Sequence, residues 1–158
     1  MEREEIVADF SGVEQAIRED GICASLTSGG SMRPLFRTHR DIVIVERVEG
    51  ELRKYDVALY KVADKYILHR VIGRRASGEY IIRGDNTFAK EIIMPEQVLA
   101  RLTAFRRGSS YKTVDAFSYK LYSRLWHYIY PLRFVIHKIR LLLSRIKQFV
   151  AKAINKTK

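Results

Sequence analysis

Gly29-Gly30-Ser31-Met32-Arg33-Pro34 combines a hydroxyl nucleophile with the backbone freedom needed to present it. Two glycines let the chain turn and let a substrate carbonyl approach the backbone closely, and Pro34 stops the turn from running on as ordinary strand. The same glycines suit an oxyanion hole built from backbone N–H groups, that of Ser31 above all. A serine hydroxyl is a weak nucleophile until a base takes its proton, and His69 is the candidate for that base. Histidines ordinarily titrate near pH 6.5, at about the right place for neutral imidazole to accept a proton near neutrality, whereas a lysine must first be strongly desolvated.

Further pieces follow the serine turn in order: RDIVIV at 40–45, KYDVALY at 54–60, LHRVIG at 68–73 and RGDNT at 83–87. Taken together, roughly from residue 22 to residue 105, they resemble the superfamily of bacterial and endoplasmic-reticulum signal peptidases and LexA-type self-cleaving proteases. The resemblance implies that Ser31 is the nucleophile, that His69, 38 residues later, is the base, and that Gly84-Asp85-Asn86 closes the site. A histidine at the base position makes the Ser-His type of endoplasmic-reticulum and archaeal signal peptidases the closer match. Gly29, Gly30 and Met32 fall on the substrate and oxyanion side of the turn. In Ser-His relatives an aspartate shortly after Gly-Asp-Asn orients the histidine; here residues 87–91 read Thr-Phe-Ala-Lys-Glu, so Glu91 or Asp85 would take that part. Relatives often carry a serine two positions before the nucleophile as an oxyanion donor, and here that position is Gly29. Asp41 and Asp56 match structural aspartates and read as turn or ion-pair residues, and Arg70 reads as the counter-charge of Asp85 or Glu91.

Positioning these residues falls to a mainly β body. Apolar residues at helical spacing from about 3 to 19, including Ile6, Val7, Phe10, Val13 and Ile17, predict an amphipathic helix ending near Gly21. Short β-branched and aromatic runs at 22–27, 41–48, 56–62, 66–72, 80–83 and 98–105 then predict an antiparallel sheet, with hairpin turns at 49–50, 63–65 and 77–78. By resemblance this is a signal-peptidase/LexA-like antiparallel β domain. Residues 106–110 read as a polar linker, so the peptidase domain is set at 1–108 and a basic amphipathic helical tail at 109–158.

The charge is distributed very unevenly. Residues 1–108 hold 18 Lys and Arg against 17 Asp and Glu, while residues 109–158 hold 11 against the single Asp115. In the tail Leu132, Val135, Ile139, Leu142, Ile146, Phe149 and Ala153 recur at steps of three and four. Arg133, Lys138, Arg140, Arg145, Lys147 and Lys152 fall largely on other faces, and Trp126, Tyr128 and Tyr130 precede the run. Two partners suit such a helix, an anionic membrane surface or a second copy of the chain, giving a homodimer. Nucleic acid ranks lower because no recognition motif accompanies the charge. The acids Glu2, Glu4, Glu5, Asp9, Glu14, Glu19 and Asp20 rule out a spanning helix or signal peptide over residues 1–21. A cytoplasmic protein, peripheral on the inner membrane face, is the expectation. One cysteine, Cys23, allows no internal disulfide and reads as a small core residue; no cofactor or metal is implied. The expected function is a serine endopeptidase that cuts a peptide or protein precursor, for example at a leader peptide. The alternative is an inactive peptide-binding or membrane-associated module on the same fold.

Overall fold

The computed structural model describes residues 11–156, with side chains over 12–148. The expected helical positions Ile6, Val7 and Phe10, and the side chains of Phe149, Lys152 and Ala153, lie outside the described residues. The chain is mainly antiparallel β sheet with an N-terminal helix and two C-terminal helices. Its elements are α1 (Ser11–Glu19), β1 (Ile22–Leu26), β2 (Ile42–Arg47), β3 (Val57–Val62), β4 (Lys65–Arg74), β5 (Tyr80–Arg83), β6 (Glu91–Ile93), β7 (Val98–Arg107), β8 (Ser110–Thr113), α2 (Phe117–Tyr128) and α3 (Tyr130–Lys156).

The strands run in the order β1-β2-β7-β3-β4-β5-β6, with β8 also on β7. β3 is buried on both faces, and the two-residue period of a strand explains its dual service. Val57 and Leu59 join Val13 and Ile17 of α1, Val43, Val45, Leu102 and Phe105 in one core. Ala58 and Tyr60 point the other way and pack with Val71, Tyr80, Ile82 and Ile93 in a second. Lys61 of β3 pairs at 3.1 Å with Glu14, which also accepts from the Tyr66 hydroxyl at 2.8 Å. Both contacts tie α1 to the β3–β4 hairpin and hold the Glu14 carboxyl below its ordinary pKa, Tyr66 most strongly. Cys23 packs half-buried on the first core, and burial raises its thiol pKa.

Three sequence expectations are corrected. Glu49-Gly50 turns the chain but closes no hairpin, because β7 lies between β2 and β3 and pairs with both. The stretch 106–110 is a tight β7–β8 hairpin, not a linker: Arg107 pairs with Ser110, and Gly108 takes the left-handed conformation (φ +60) that the two-residue turn requires. The compact body therefore continues past Gly108 to Arg124, and a second unit runs Leu125–Lys158. Tyr119 and Ser123 of α2 are buried in the body, which is why the boundary moves. In the second unit Arg133 stacks on the Trp126 ring at 3.9 Å and Tyr130 on Phe134 at 6.0 Å. Among the described residues no helix is long and apolar enough to cross a membrane.

Candidate active site

Ser31 sits on a turn between β1 and β2 that is tied down on every side. Gly29 has φ +81, a conformation that glycine adopts without a Cβ penalty. The Gly29 carbonyl accepts from Thr38 Oγ1 at 2.6 Å, and the Gly30 carbonyl from Arg33 N at 3.2 Å. Beyond the serine, Met32, Leu35 and Phe36 insert into the first core and anchor the turn. Asp41, fully buried, accepts from Arg37 N at 2.9 Å and lies 3.5 Å from Arg107, so it braces this loop; Asp56 accepts from Arg53 N at 2.8 Å in another turn. Both aspartates are the turn residues they were read to be.

His69 lies in β4 opposite Ala58 of β3, and its side chain is 4% exposed. Two groups approach its Nδ1: the Tyr60 hydroxyl at 3.1 Å and Glu91 Oε1 at 3.4 Å. The Tyr60 hydroxyl donates to Glu91 Oε2 at 2.7 Å. A phenol has one proton, so with that proton on Glu91 the Tyr60 oxygen can only accept from the imidazole. The arrangement puts the ring proton on Nδ1 and leaves the Nε2 lone pair open. Nε2 is buried and has no hydrogen-bond partner among the described residues.

Gly84 joins the serine turn to the histidine. A methyl group there would lie 2.7 Å from the Ser31 carbonyl oxygen and 2.9 Å from His69 Nε2, so only glycine fits. Those two lengths also bound the separation of the Ser31 carbonyl and Nε2 at about 5.6 Å. The next residues complete the clasp: Asn86 N donates to the Ser31 carbonyl at 2.7 Å and Asn86 Nδ2 to that of Gly30 at 3.2 Å. The Ser31 hydroxyl is not hydrogen-bonded to Nε2.

The two carboxylates left open by the sequence occupy separate places. Glu91 is at His69. Asp85 is not: it faces Arg70 in a two-bond pair, Nε to Oδ1 and Nη2 to Oδ2, both 2.8 Å, and accepts from the Tyr122 hydroxyl at 2.9 Å. Those bonds hold the Asp85 oxygens on the side of β4 opposite His69. Arg70 also donates to Ser123 Oγ at 3.0 Å and the Tyr55 carbonyl at 2.9 Å. Burial works most strongly against the Arg70 charge, yet the Asp85 carboxylate and, after it, the Tyr119 hydroxyl together more than offset it and hold the guanidinium pKa above its ordinary value. Burial first, and the Asp85 charge second, push the Tyr122 phenol pKa up, which keeps it a donor.

Ser31, His69 and Glu91 line one cleft of about 280 Å³ with Gly29, Gly30 and Met32. Its floor is apolar, made by Phe36, Val43, Val45, Leu59 and Leu68 among others. Met32 thus serves both as an anchor in the core and as part of the cleft wall. Sequence reasoning missed Tyr60 and the roles of Gly84 and Tyr122. Tyr60 was findable only once register was known: it is two residues from Ala58, the partner of His69, and hence a diagonal neighbour on the same face. Among the described residues no group of three His, Cys, Asp or Glu is placed to hold a metal ion. No model of a known family matches the chain, and no curated protein matches it.

Proposed function

We propose that the protein is a serine peptidase in which Ser31 attacks a peptide carbonyl, His69 Nε2 takes its proton, and Glu91 acts on the Nδ1 side together with Tyr60. One observation carries the reading: a buried imidazole whose Nδ1 is engaged by Tyr60 and Glu91 and whose Nε2, beside the serine turn, has no partner among the described residues. Hydroxyl and imidazole come within hydrogen-bond reach in the substrate complex, as catalytic contacts often tighten only there. The acyl-enzyme then forms on Ser31 as the leaving amine takes the proton from His69, and water, deprotonated by the same nitrogen, releases the product. The Ser31 N–H is available to the oxyanion. This assignment agrees with the signal-peptidase and LexA-type resemblance of the motifs.

A peptide substrate is supported by the cleft walls. One wall is the end of β1, an edge strand, and the following residues 27–28; another is residues 65–68 of β4, which pair with β3 while β5 pairs only from Arg70 onward. An edge strand such as β1 accepts an extended peptide by backbone hydrogen bonds, and the apolar lining takes its side chains. By resemblance the residues before the cut are small, and removal of a leader from a precursor peptide is a job of this kind. A fluorophosphonate probe, which loses fluoride to an activated serine, tests the mechanism without knowledge of the substrate. Wild type should label at Ser31 and cleave members of a peptide library, and Ser31→Ala and His69→Ala should do neither while melting like wild type. Equal cleavage by Ser31→Ala would overturn the mechanism. The second reading, a peptide-binding module without turnover, draws on the absent Ser31–His69 hydrogen bond. It predicts library peptides that bind and stay whole, with no labelling.

A further inference from the structure

The second unit exposes an apolar face that the peptidase reading does not use. α3 has 27 residues, so it is about 40 Å long at 1.5 Å per residue. At about 100° per residue, Leu132, Val135, Ile139, Leu142 and Ile146 fall on one arc, and all of them are exposed. Ile136 and Leu143 widen that arc; Leu141 is the single aliphatic residue on the far side among those whose side chains are described. Cations line both margins of the arc. Arg133, Arg140 and Lys147, seven residues apart, form one rim, and Lys138 and Arg145, also seven apart, form the other. Residues 116–158 contain no Asp or Glu at all.

Charge decides between the possible occupants of this face. A second copy of α3 would cover the aliphatic residues but would bring cationic rims together with no carboxylate to answer them, and like-charge juxtaposition opposes pairing. Nucleic acid would answer the cations and leave the aliphatic arc without a partner. An anionic bilayer surface answers both, since acyl chains take the arc while headgroup phosphates meet the rims. Trp126 and Tyr130, at the start of the unit, are side chains that favour the boundary between apolar and aqueous surroundings.

We propose that α3 lies flat in an anionic lipid surface, of the kind the cytoplasmic leaflet presents, with its aliphatic arc toward the acyl chains and its two cationic rims at the headgroups. The inference is independent of the Ser31 chemistry. The full chain is mixed with vesicles of phosphatidylcholine alone or with one quarter phosphatidylglycerol, and bound protein is measured by flotation. Trp126, the single tryptophan, reports in parallel through its emission. Binding to the anionic vesicles, weak binding to the zwitterionic ones, partial release by high salt and a blue shift of Trp126 emission are expected. Replacing Arg140, Arg145 and Lys147 together by Gln should weaken partitioning about a hundredfold, at about fivefold per charge near the surface. Ile139→Asn with Leu142→Asn keeps every charge and should also release the chain. Both variants lie outside the compact body, so a thermal melt like that of the unaltered chain shows that the body is folded. Equal binding to both vesicle types, or failure of either variant to weaken binding, overturns the proposal. So does a chain that ignores anionic vesicles and instead dimerises through α3 or binds RNA.

Discussion

Gly84→Ala tests the site at its tightest point. The added Cβ would lie 2.7 Å from the Ser31 carbonyl oxygen and 2.9 Å from His69 Nε2, where ordinary contact begins at 3.4 Å. The serine turn and the imidazole must therefore separate from Gly84 by about 0.7 and 0.5 Å. Neither can yield cheaply: the Ser31 carbonyl is held by Asn86 N at 2.7 Å, and His69 by Tyr60 and Glu91. Overpacking of this kind costs about 1–3 kcal/mol, a Tm lower by about 2–10 °C, which the body survives. Catalysis is hit harder, since a misplacement of about 1 Å can cost a hundredfold in rate. The second-order rate of fluorophosphonate labelling should fall about a hundredfold while the protein still melts cooperatively. Gly30→Ala is the control, because its Cβ would meet only Arg33 atoms, at 3.9 and 4.0 Å, and should leave the melt unchanged. Wild-type labelling by Gly84→Ala would show that Ser31 and His69 do not work as a pair across this glycine.

Tyr60→Phe removes the hydroxyl shared by His69 and Glu91 and should slow labelling about tenfold, or about 1.4 kcal/mol of barrier; a rate equal to wild type would remove Tyr60 from the mechanism. Glu91→Gln removes the carboxylate that lies 3.4 Å from His69 Nδ1 and accepts from Tyr60, so labelling should slow about tenfold, and a rate equal to wild type would exclude Glu91 as the orienting group. Asp85→Ala strands the Arg70 guanidinium, 2% exposed, without its counter-charge and should cost about 3–5 kcal/mol in urea unfolding. A chain ending at Arg124 should fold, whereas one ending at Gly108 loses β8, Tyr119, Tyr122 and Ser123 and should not; two equal melts would restore the boundary to Gly108.

What the sequence made legible was local. The six expected strands each correspond to a strand, because period-two runs such as residues 42–47 alternate buried and half-buried positions. The Ser31 turn, His69, Gly84 and Asn86, each singled out by residue type, lie together, whereas Asp85 faces Arg70. β6 escaped because three residues carry too little periodicity, and β8 because its pattern is polar and all four residues are exposed. Arg106 and Arg107 read as a linker for the same reason, although Arg107 is folded against Asp41 at 3.5 Å. Tyr60 was invisible as a site residue since a strand tyrosine is ordinarily core, and its hydroxyl gains meaning only from register. The reach of α2 into the body depends on Tyr119, Tyr122 and Ser123 at spacings of three and four, which amphipathic reading attributes to any helix face.

The division of labour between Asp85 and Glu91 follows from strand geometry. His69 and Arg70 are neighbours in β4 and therefore point to opposite faces of the sheet. Each is buried and each requires a carboxylate on its own side, Arg70 to keep a charge in the interior and His69 to fix which nitrogen bears the proton. A single acid cannot serve both. Were Asp85 to turn toward His69, Arg70 would remain among Tyr119, Tyr122 and Ser123 with neutral acceptors only, a loss of about 3–5 kcal/mol that no gain in orienting an imidazole matches. Glu91, on the short β6 beside β5, supplies the second acid and, being 35% exposed, bears its charge at lower desolvation cost. Tyr60 lies between Glu91 and the ring, which gives the glutamate hold of the imidazole at 3.4 Å directly and through a 2.7 Å and a 3.1 Å bond by way of the phenol. The aspartate therefore stabilises the loop that carries Gly84, while the glutamate and the tyrosine set the imidazole, and substitutions on the two sides of β4 should separate stability from rate.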